Sequence, residues 1–233
     1  MAFEYQVIRR PRRKTAAITV KPDGTVQVVV PASLSEDRVI DLIERKGRWI
    51  KEKLADFEKL KSNNRQKKYA SGESFAYLGR NYRLKVVTGD PENNPVKLMN
   101  GKFLIHVPAS LTKKAHDQLV VDQLTCWYQS HAAVRLPEKA QIFAQLMGVA
   151  PASVGIKGYK SRLGTCHSDG RVYFNWRIIM APHAVVDYVI VHELSHLVHH
   201  DHSKNFWNHV EGVLPNYLES KAWLRANGQG LWV

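Results

Sequence analysis

The stretch that decides the fold is Tyr188-Val-Ile-Val-His-Glu-Leu-Ser-His-Leu-Val-His-His-Asp-His202. It contains His192-Glu193-Leu194-Ser195-His196, which matches the pattern H-E-x-x-H. On a helix, His192 and His196 lie one turn apart on the same face, so the two imidazoles can share one Zn²⁺ ion. Glu193 between them can act as general base toward water at the metal. The pattern therefore predicts a zinc-dependent hydrolase.

The residues around this motif predict a buried helix. Ala181-Pro182 is typical of a helix start, with Pro at the first helical position, and residues 185–198 contain neither Gly nor Pro. One face of the helix then carries Val185, Val189, His192, His196 and His199. A buried helix with incidental histidines is the alternative interpretation, and the regular spacing of the histidines argues against it.

A third metal ligand is expected after the helix, because a catalytic zinc site usually takes three protein ligands and leaves one position for water. His202 lies six residues after His196, the spacing of the third ligand in the longer H-E-x-x-H-x-x-G-x-x-H motif. Where that motif has Gly, this chain has His199, so we expect the helix to continue to about His200. His200 is then the rival ligand by helical spacing. We favour His202, because a residue beyond the helix end can turn back toward a metal held between His192 and His196.

The motif and its surroundings resemble a known family. The residues that carry the resemblance are the H-E-x-x-H motif, His202-Ser-Lys-Asn-Phe-Trp207, Ser161-Arg-Leu-Gly-Thr-Cys166 and Asn175-Trp-Arg177. Together they are similar to the YgjP-like metallopeptidases, which are related to the SprT-like and WLM zinc metalloproteases. The chain differs from the family pattern at Leu163, where Trp is usual, and at Thr165, where Ser is usual.

The resemblance implies both a cofactor and site residues. Zn²⁺ is expected to be bound by His192, His196 and His202, with Glu193 as the catalytic residue. The similarity spans nearly the whole chain and is densest from Tyr159 to Leu224. It identifies no residue that binds the substrate.

Composition and length limit the class of protein. The chain has 233 residues, 44% of them hydrophobic, which is enough for one large domain or two small ones with a real core. No window approaches about 18 consecutive apolar residues, and the first residues lack the apolar region of a signal peptide. Cys126 and Cys166 are far apart, as is typical of reduced thiols. We therefore expect a cytoplasmic protein without a membrane segment.

The chain is strongly basic, with a formal net charge of +13. Residues 1–90 carry twenty Lys or Arg and eleven Asp or Glu, a surplus of nine. A basic surface attracts nucleic acid, nucleotides or acidic proteins, and Arg9-Arg-Pro-Arg-Arg-Lys14 is a candidate phosphate contact. The alternative is a solvated face that only keeps the protein soluble.

The predicted elements indicate an α+β protein in two parts. Residues 1–108 are expected to form a β-rich N-terminal region with one long helix, and residues 109–233 a zincin-like catalytic domain around the H-E-x-x-H helix. Turn sequences at 21–24, 79–81 and Asn100-Gly101 predict three hairpins in the first part. Its long helix has one apolar face and is expected to pack on a sheet. Residues 61–68 are polar and unpatterned, which predicts a loop or linker.

A short repeat links the two parts. Pro31-Ala-Ser-Leu34 and Pro108-Ala-Ser-Leu111 each follow a predicted strand and precede a long helix. This suggests a strand–turn–helix duplication, although the same letters are also good helix-start chemistry. The second of these helices is expected from Thr112 to His131. Pro137 should break or kink it, with another helix continuing to Leu146, and this region is expected to support the H-E-x-x-H helix.

Two further segments are expected beside the predicted metal. Residues 171–177 form a strand that, by analogy with zinc peptidases, is the edge strand that pairs with an extended substrate. Arg162, in the preceding loop, either neutralises an anionic group or makes a structural ion pair. Asn175 either orients the site or caps a turn.

The segment after His202 predicts a short helix that completes the site. Phe206 and Trp207 are expected to pack behind the metal helix and to fix the direction of His202. Glu211 is a candidate hydrogen-bond partner for a ligand histidine, as metal sites commonly have.

Three functions are compatible with these residues. The first is a zinc metallopeptidase, acting on a peptide or protein with Glu193 as general base. The second is a metal-dependent hydrolase of nucleotides or other phosphoanhydrides, which the basic surplus and Arg162 favour. The third is a nucleic-acid-associated protease module that binds nucleic acid through the basic N-terminal region, and salt-sensitive binding would support it.

Overall fold

The computed structural model describes residues 3–21, 23–63, 67–92 and 96–231. The fold is mixed α+β, and the chain divides into two compact units, Met1–Gln66 and Lys67–Val233. Within the described ranges, none of the helices has a stretch long and apolar enough to cross a bilayer.

The first unit is a three-stranded sheet covered by one helix. Its strands β1 (Tyr5–Arg10), β2 (Ala17–Val20) and β3 (Val26–Pro31) have the order β1-β3-β2, with β1 parallel and β2 antiparallel to β3. Helix α1 (Glu36–Asn63) follows. Alternate residues of β3 and one face of α1 form the core, which consists of Val26, Val28, Val30, Val39, Ile43 and Ile50. The predicted β2–β3 hairpin and the packing of this helix on a sheet are confirmed.

The predicted linker at residues 61–68 is only partly a linker. Helix α1 continues to Asn63, and residues 64–66 lie outside the described residues. Lys67 and Lys68 have no regular secondary structure, and the division between the two units falls immediately before Lys67.

The second unit begins with a four-stranded sheet. Its strands β4 (Ser74–Tyr77), β5 (Arg80–Thr88), β6 (Lys97–Met99) and β7 (Lys102–Val107) have the order β4-β5-β7-β6. Both predicted hairpins are present. Asn100 and Gly101 have φ values of 49° and 73°, as the tight turn between β6 and β7 requires.

Helix α2 (Lys113–Met147) packs on this sheet and runs through Pro137, so the prediction of two helices is wrong. Thr112 Oγ1 accepts a hydrogen bond from Ala115 N at the start of the helix, as expected for an N-cap. Pro137 removes one backbone hydrogen bond, at a cost of about 3 kcal/mol. Buried side chains on both sides of it, including Leu136 and Ala140, offset that cost through packing.

The rest of the second unit is a small sheet with three helices. Strands β8 (Ser153–Lys157), β9 (Gly164–Cys166) and β10 (Arg171–Asn175) have the order β8-β10-β9. The prediction that residues 171–177 form an edge strand is therefore wrong, because β10 is central and β9 is at the edge. A 3-10 helix (Trp176–Met180) leads into α3 (His183–Ser195), which is followed by α4 (Lys204–Val213) and α5 (Tyr217–Asn227).

Helix α3 has the largest buried fraction of the helices in this unit, and α2 and the β4–β5 turn contact the region where it begins. Nine of its residues are buried, and α2 packs against it as predicted. Lys139 Nζ of α2 lies 2.5 Å from Asp187 Oδ1 of α3. The β4–β5 turn also reaches this region, since Leu78 N donates a hydrogen bond to Ile179 O at 2.8 Å.

Strands β4–β7 thus share a compact unit with α3, although the sequence boundary at 108/109 assigns them to the N-terminal region. The same core cluster contains Phe103 and Ile105 of β7 together with Val189 and Leu194 of α3. The sheet and the helix bury their apolar residues in one continuous core, so contacts tie them more closely than their distance in sequence suggests.

The two units repeat one topological motif. In each, a strand is followed by a hairpin whose second strand pairs in parallel with the first strand, and a long helix follows. Pro31-Ala-Ser-Leu34 and Pro108-Ala-Ser-Leu111 occupy the same place in β1-β2-β3-α1 and in β5-β6-β7-α2. The buried residues of β7, which are Phe103, Ile105 and Val107, precede their proline at the same spacings as Val26, Val28 and Val30 of β3. The suggested duplication therefore extends from the helix start to β1–β3 and β5–β7, while β4 lies outside the repeat.

Candidate metal centre

Helix α3 ends at Ser195, five residues before the end predicted from the sequence. His196 follows with φ −69° and ψ −13°, and residues 196–198 form a turn. No residue from 196 to 202 has a positive φ, so this turn does not need the glycine of the longer motif. His199 N still donates to Ser195 O at 2.9 Å. The chain then leaves the helix axis, which allows His202 to turn back.

Three imidazoles meet where the chain turns back. One ring nitrogen from each of His192, His196 and His202 lies within 4.8 Å of the others, and the Nε2 atoms of His202 and His192 are 3.1 Å apart. His200, the rival third ligand, is exposed and is not part of this group.

The three histidines fit a tetrahedral Zn²⁺ ion. Zinc holds imidazole nitrogens at roughly 2.0 to 2.1 Å in tetrahedral geometry, so two ligand nitrogens should be about 3.3 Å apart. The 3.1 Å between His192 and His202 is close to that value. Burial lowers the pKa of His192 to about 3, helped by the neighbouring His196 and His202. Burial also lowers the pKa of His196. Both rings are therefore neutral near pH 7 and present lone pairs, as a metal ligand must.

Backbone and aromatic groups orient the three rings. His196 Nδ1 is 2.9 Å from the carbonyl oxygen of His199, an interaction that leaves Nε2 for a metal. His192 Nδ1 is buried without a hydrogen-bond partner among the described residues, so packing sets the orientation of that ring. Glu211, the predicted partner for a ligand histidine, is exposed on α4. The carbonyl oxygen of His199, and not the Glu211 carboxylate, is the hydrogen-bond partner of His196.

Phe206 forms the floor of the histidine cluster. Its side chain is fully buried, and its ring centroid lies 4.9 Å from that of His192, 4.6 Å from that of His196 and 4.8 Å from that of His202. Trp207 stacks on His202 at 5.6 Å. The prediction that this aromatic pair packs behind the metal helix and beside His202 is confirmed.

Replacing Phe206 with Ala should lower stability and metal affinity together. Removal of a fully buried phenyl ring costs about 3 to 5 kcal/mol, and the loosened histidines should bind zinc about 10- to 100-fold more weakly. Thermal unfolding and competition with a zinc chelator measure the two effects. Phe103→Ala is the matched control, because it opens a similar cavity under β7 and should leave zinc affinity of the folded protein unchanged. Equal losses of zinc affinity in both variants would contradict this role of Phe206.

Glu193 lies between α3 and the edge strand β9 and is 8% exposed. Gly164 of β9 runs so close that a Cβ built on it would lie 2.6 Å from Glu193 Cγ. The backbone N–H of Cys166 donates a hydrogen bond to the carboxylate. Burial raises the pKa of Glu193 to about 7, against the opposing effects of Arg162 and of the Cys166 N–H. A cation held by the histidines would lower this pKa, because an opposite charge favours the carboxylate.

Gly164→Ala should reduce turnover without removing the metal. The added methyl group cannot fit beside Glu193, so either the carboxylate or β9 must move. A displacement near 1 Å in a catalytic group costs on the order of 100-fold in rate. Steady-state kinetics and metal analysis of the purified variant test this. Gly212→Ala on α4 is the control, since a Cβ there meets nothing within 4 Å. Full activity of the Gly164 variant would show that the close contact is irrelevant to the carboxylate.

Asn175 caps a turn, which is one of the two roles predicted for it, and it also binds the loop before β9. Its Oδ1 accepts a hydrogen bond from Arg177 N and so caps the 3-10 helix. Its Nδ2 donates to Tyr159 O at 2.9 Å and to Arg162 O at 2.7 Å. The side chain is 3% exposed, so a buried amide holds the loop that leads to β9.

Sequence reasoning missed the roles of Gly164 and of the His199 carbonyl. Gly164 stands in the segment that carried the family resemblance, and a glycine within a strand is a signal of close backbone approach. The His199 carbonyl carries no such signal, because any residue at that position supplies the same oxygen.

The chain belongs to the YgjP-like metallopeptidase domain family, whose model matches residues 14–227. It is therefore a metal-dependent hydrolase, and the resemblance seen in the sequence is confirmed. Two solved structures are similar to part of the chain, and both are metallopeptidase zymogens. Abylysin of Pyrococcus abyssi is 21% identical, with 40% of this chain and 95% of that chain covered and a TM-score of 0.38. Jannalysin of Methanocaldococcus jannaschii is 14% identical, with 38% and 92% covered and a TM-score of 0.35. No curated protein matches the chain significantly.

Proposed function

We propose that the protein is a zinc metallopeptidase in which His192, His196 and His202 hold the metal and Glu193 is the general base. The observation that carries this proposal is a group of three imidazole nitrogens within 4.8 Å of one another. The buried carboxylate of Glu193 follows His192 directly on α3. A set of three imidazoles suits zinc, although imidazole also binds nickel, copper and iron.

Glu193 performs the proton transfers in this proposal. Zinc, when bound, supplies positive charge that polarises the peptide carbonyl and acidifies water. Glu193 accepts a proton from the attacking water and donates it to the amine that leaves. Gly164 and the Cys166 N–H restrict the carboxylate on one side, which keeps it directed at the reacting groups.

Strand β9 is the natural binding place for an extended substrate. It is the edge of its sheet within the described part of the chain, and it passes directly beside Glu193. An extended peptide can add to such an edge through backbone hydrogen bonds. The analogy that the sequence drew for residues 171–177 therefore belongs to Gly164–Cys166.

Metal depletion tests the proposed function. Protein stripped by a chelator should not cleave unfolded casein, and addition of Zn²⁺ should restore cleavage. Fragments that appear equally with stripped protein would come from a contaminating protease and would leave the proposal without support.

The two alternatives from the sequence remain predictions. Hydrolysis of nucleotides needs an anion-binding group near Glu193, and Arg162 is the candidate. Nucleic-acid binding rests on the basic surplus of residues 1–90, and no contact in the described residues favours it over a solvated face.

A further inference from the structure

The segment from Tyr159 to Cys166, which ends in β9 beside Glu193, is held by contacts with Asn175 and Glu193. Asn175 binds the carbonyl oxygens of Tyr159 and Arg162 through its side chain, and its backbone N donates to Leu163 O at 2.8 Å. Glu193 packs against Gly164 at the other end. The backbone of this segment is therefore held by Asn175 and by Glu193, which fixes the positions of the Cα atoms from which its side chains extend.

Arg162 is one of two cations in this segment, and the other is Lys160. The Cα of Arg162 lies at most about 7 Å from that of Gly164, because only Leu163 separates the two residues. The side chain is exposed, and its guanidinium has no hydrogen-bond or ion-pair partner among the described residues. Its charge opposes the effect of burial on the pKa of Tyr159, at the start of the same segment.

Lys160 is also exposed, but its ammonium lacks the planar fork with which a guanidinium binds both oxygens of a carboxylate. Three other cations have protein partners. Lys221 Nζ lies 3.7 Å from the ring of Trp207 and Lys157 Nζ lies 3.7 Å from the ring of Tyr173, while Arg171 is paired with Asp169. Each of these charges therefore has a protein partner. A guanidinium without one, next to the proposed binding edge, is suited to bidentate binding of a carboxylate.

We propose that Arg162 is a specificity-determining residue that binds a carboxylate of the peptide substrate beside β9. This inference rests on the proposed peptidase function. The carboxylate belongs either to an Asp or Glu side chain next to the scissile bond or to the free C-terminus of the peptide. Arg162 selects the substrate and leaves the proton transfers to Glu193.

The test uses a quenched fluorescent peptide that contains the cleaved sequence, in versions with Asp, Asn or Lys at each position flanking the scissile bond. A second pair of peptides carries a free or an amidated C-terminus, which distinguishes the two sources of carboxylate. For the wild type, kcat/KM should be about fivefold higher for the preferred carboxylate than for its neutral counterpart. Arg162→Met should bring this ratio close to one, and Arg162→Glu should favour the Lys peptide.

Arg225→Met is the matched control, because it removes the same charge from an exposed residue of α5 and should leave the ratio unchanged. Binding of the same peptides to Glu193→Gln protein, measured by fluorescence anisotropy, gives a readout that does not need turnover. There the Asp-over-Asn preference should again disappear when Arg162→Met is added.

The outcomes separate the two proposals. If the wild type cleaves no peptide, the peptidase proposal fails, while the binding measurement still decides the role of Arg162. If neither arm has a carboxylate preference that depends on Arg162, the inference is overturned. An equal loss of kcat for all peptides in Arg162→Met would also overturn it, since that pattern belongs to a group that stabilises the transition state. Displacement of peptide by a nucleoside triphosphate only when Arg162 is present would assign the residue to phosphate instead.

Discussion

Glu193→Gln is expected to lower kcat for peptide hydrolysis by about 10²- to 10⁴-fold, the usual contribution of a general base, while zinc stays bound. Glutamine has nearly the same shape as glutamate and keeps the contacts with Gly164 and the Cys166 N–H, but it cannot accept the proton of water. The carboxylate is not one of the three grouped nitrogen donors, so metal content should not change. Steady-state kinetics and elemental analysis of the same preparation measure both quantities.

Glu211→Gln is the control for this prediction. It makes the same chemical change at an exposed position on α4 and should retain full activity. Loss of zinc from the Glu193 variant would mean that the carboxylate holds the metal, and the division of roles proposed above would then be wrong.

His202→Ala is expected to weaken zinc binding by more than about 100-fold, since even residues that only support a ligand contribute 10- to 100-fold. The His202 and His192 Nε2 atoms are 3.1 Å apart, so removal of His202 leaves two imidazoles where a stable site needs three protein ligands. Titration of the apoprotein with zinc against a chelator of known affinity gives the dissociation constant directly.

His200→Ala provides the comparison, because His200 is two residues earlier, exposed and outside the histidine group. Its zinc affinity should stay within about threefold of wild type, the scatter expected of a surface substitution of roughly 0.5 kcal/mol. A larger effect at His200 than at His202 would show that His202 is not the third ligand.

Most of the candidate site could be predicted because its chemistry is local in sequence. The spacing of His192 and His196 follows from one helical turn, and His202 was indicated by its spacing of six residues after His196, as in the longer motif. The helix end could not be predicted in the same way. Without a glycine at His199 the sequence indicated a longer helix, whereas the chain turns without a positive φ at any residue from 196 to 202.

The strand beside the site was harder to predict, because sheet order depends on contacts far apart in sequence. Residues 171–175 have the longer apolar pattern, and this pattern is explained by a central strand that is paired on both sides. The edge strand β9 is only three residues long, which is too short for a period of two to be recognised. The feature of β9 that matters for the site is the missing side chain at Gly164, which leaves room for Glu193.

For the rest of the fold as well, features with a local sequence signal could be predicted and long-range pairings could not. Turn sequences such as Asn100-Gly101 identified the hairpins, and Pro31-Ala-Ser-Leu34 with its counterpart at Pro108 pointed to the duplication. The parallel pairing of β5 with β7 has no local signal. For the same reason the association of β4–β7 with α3 in one unit appears only in the structure.

The central claim is that the histidine cluster and Glu193 hydrolyse peptide bonds. The most direct measurement exposes zinc-loaded protein to unfolded casein and, in parallel, to a panel of nucleoside triphosphates, with Glu193→Gln as the control. We expect casein to be cleaved by the wild type and to stay intact with the variant, while the nucleotides are unchanged. Nucleotide hydrolysis that the variant loses, with casein intact, would contradict the claim and assign this site to phosphate chemistry.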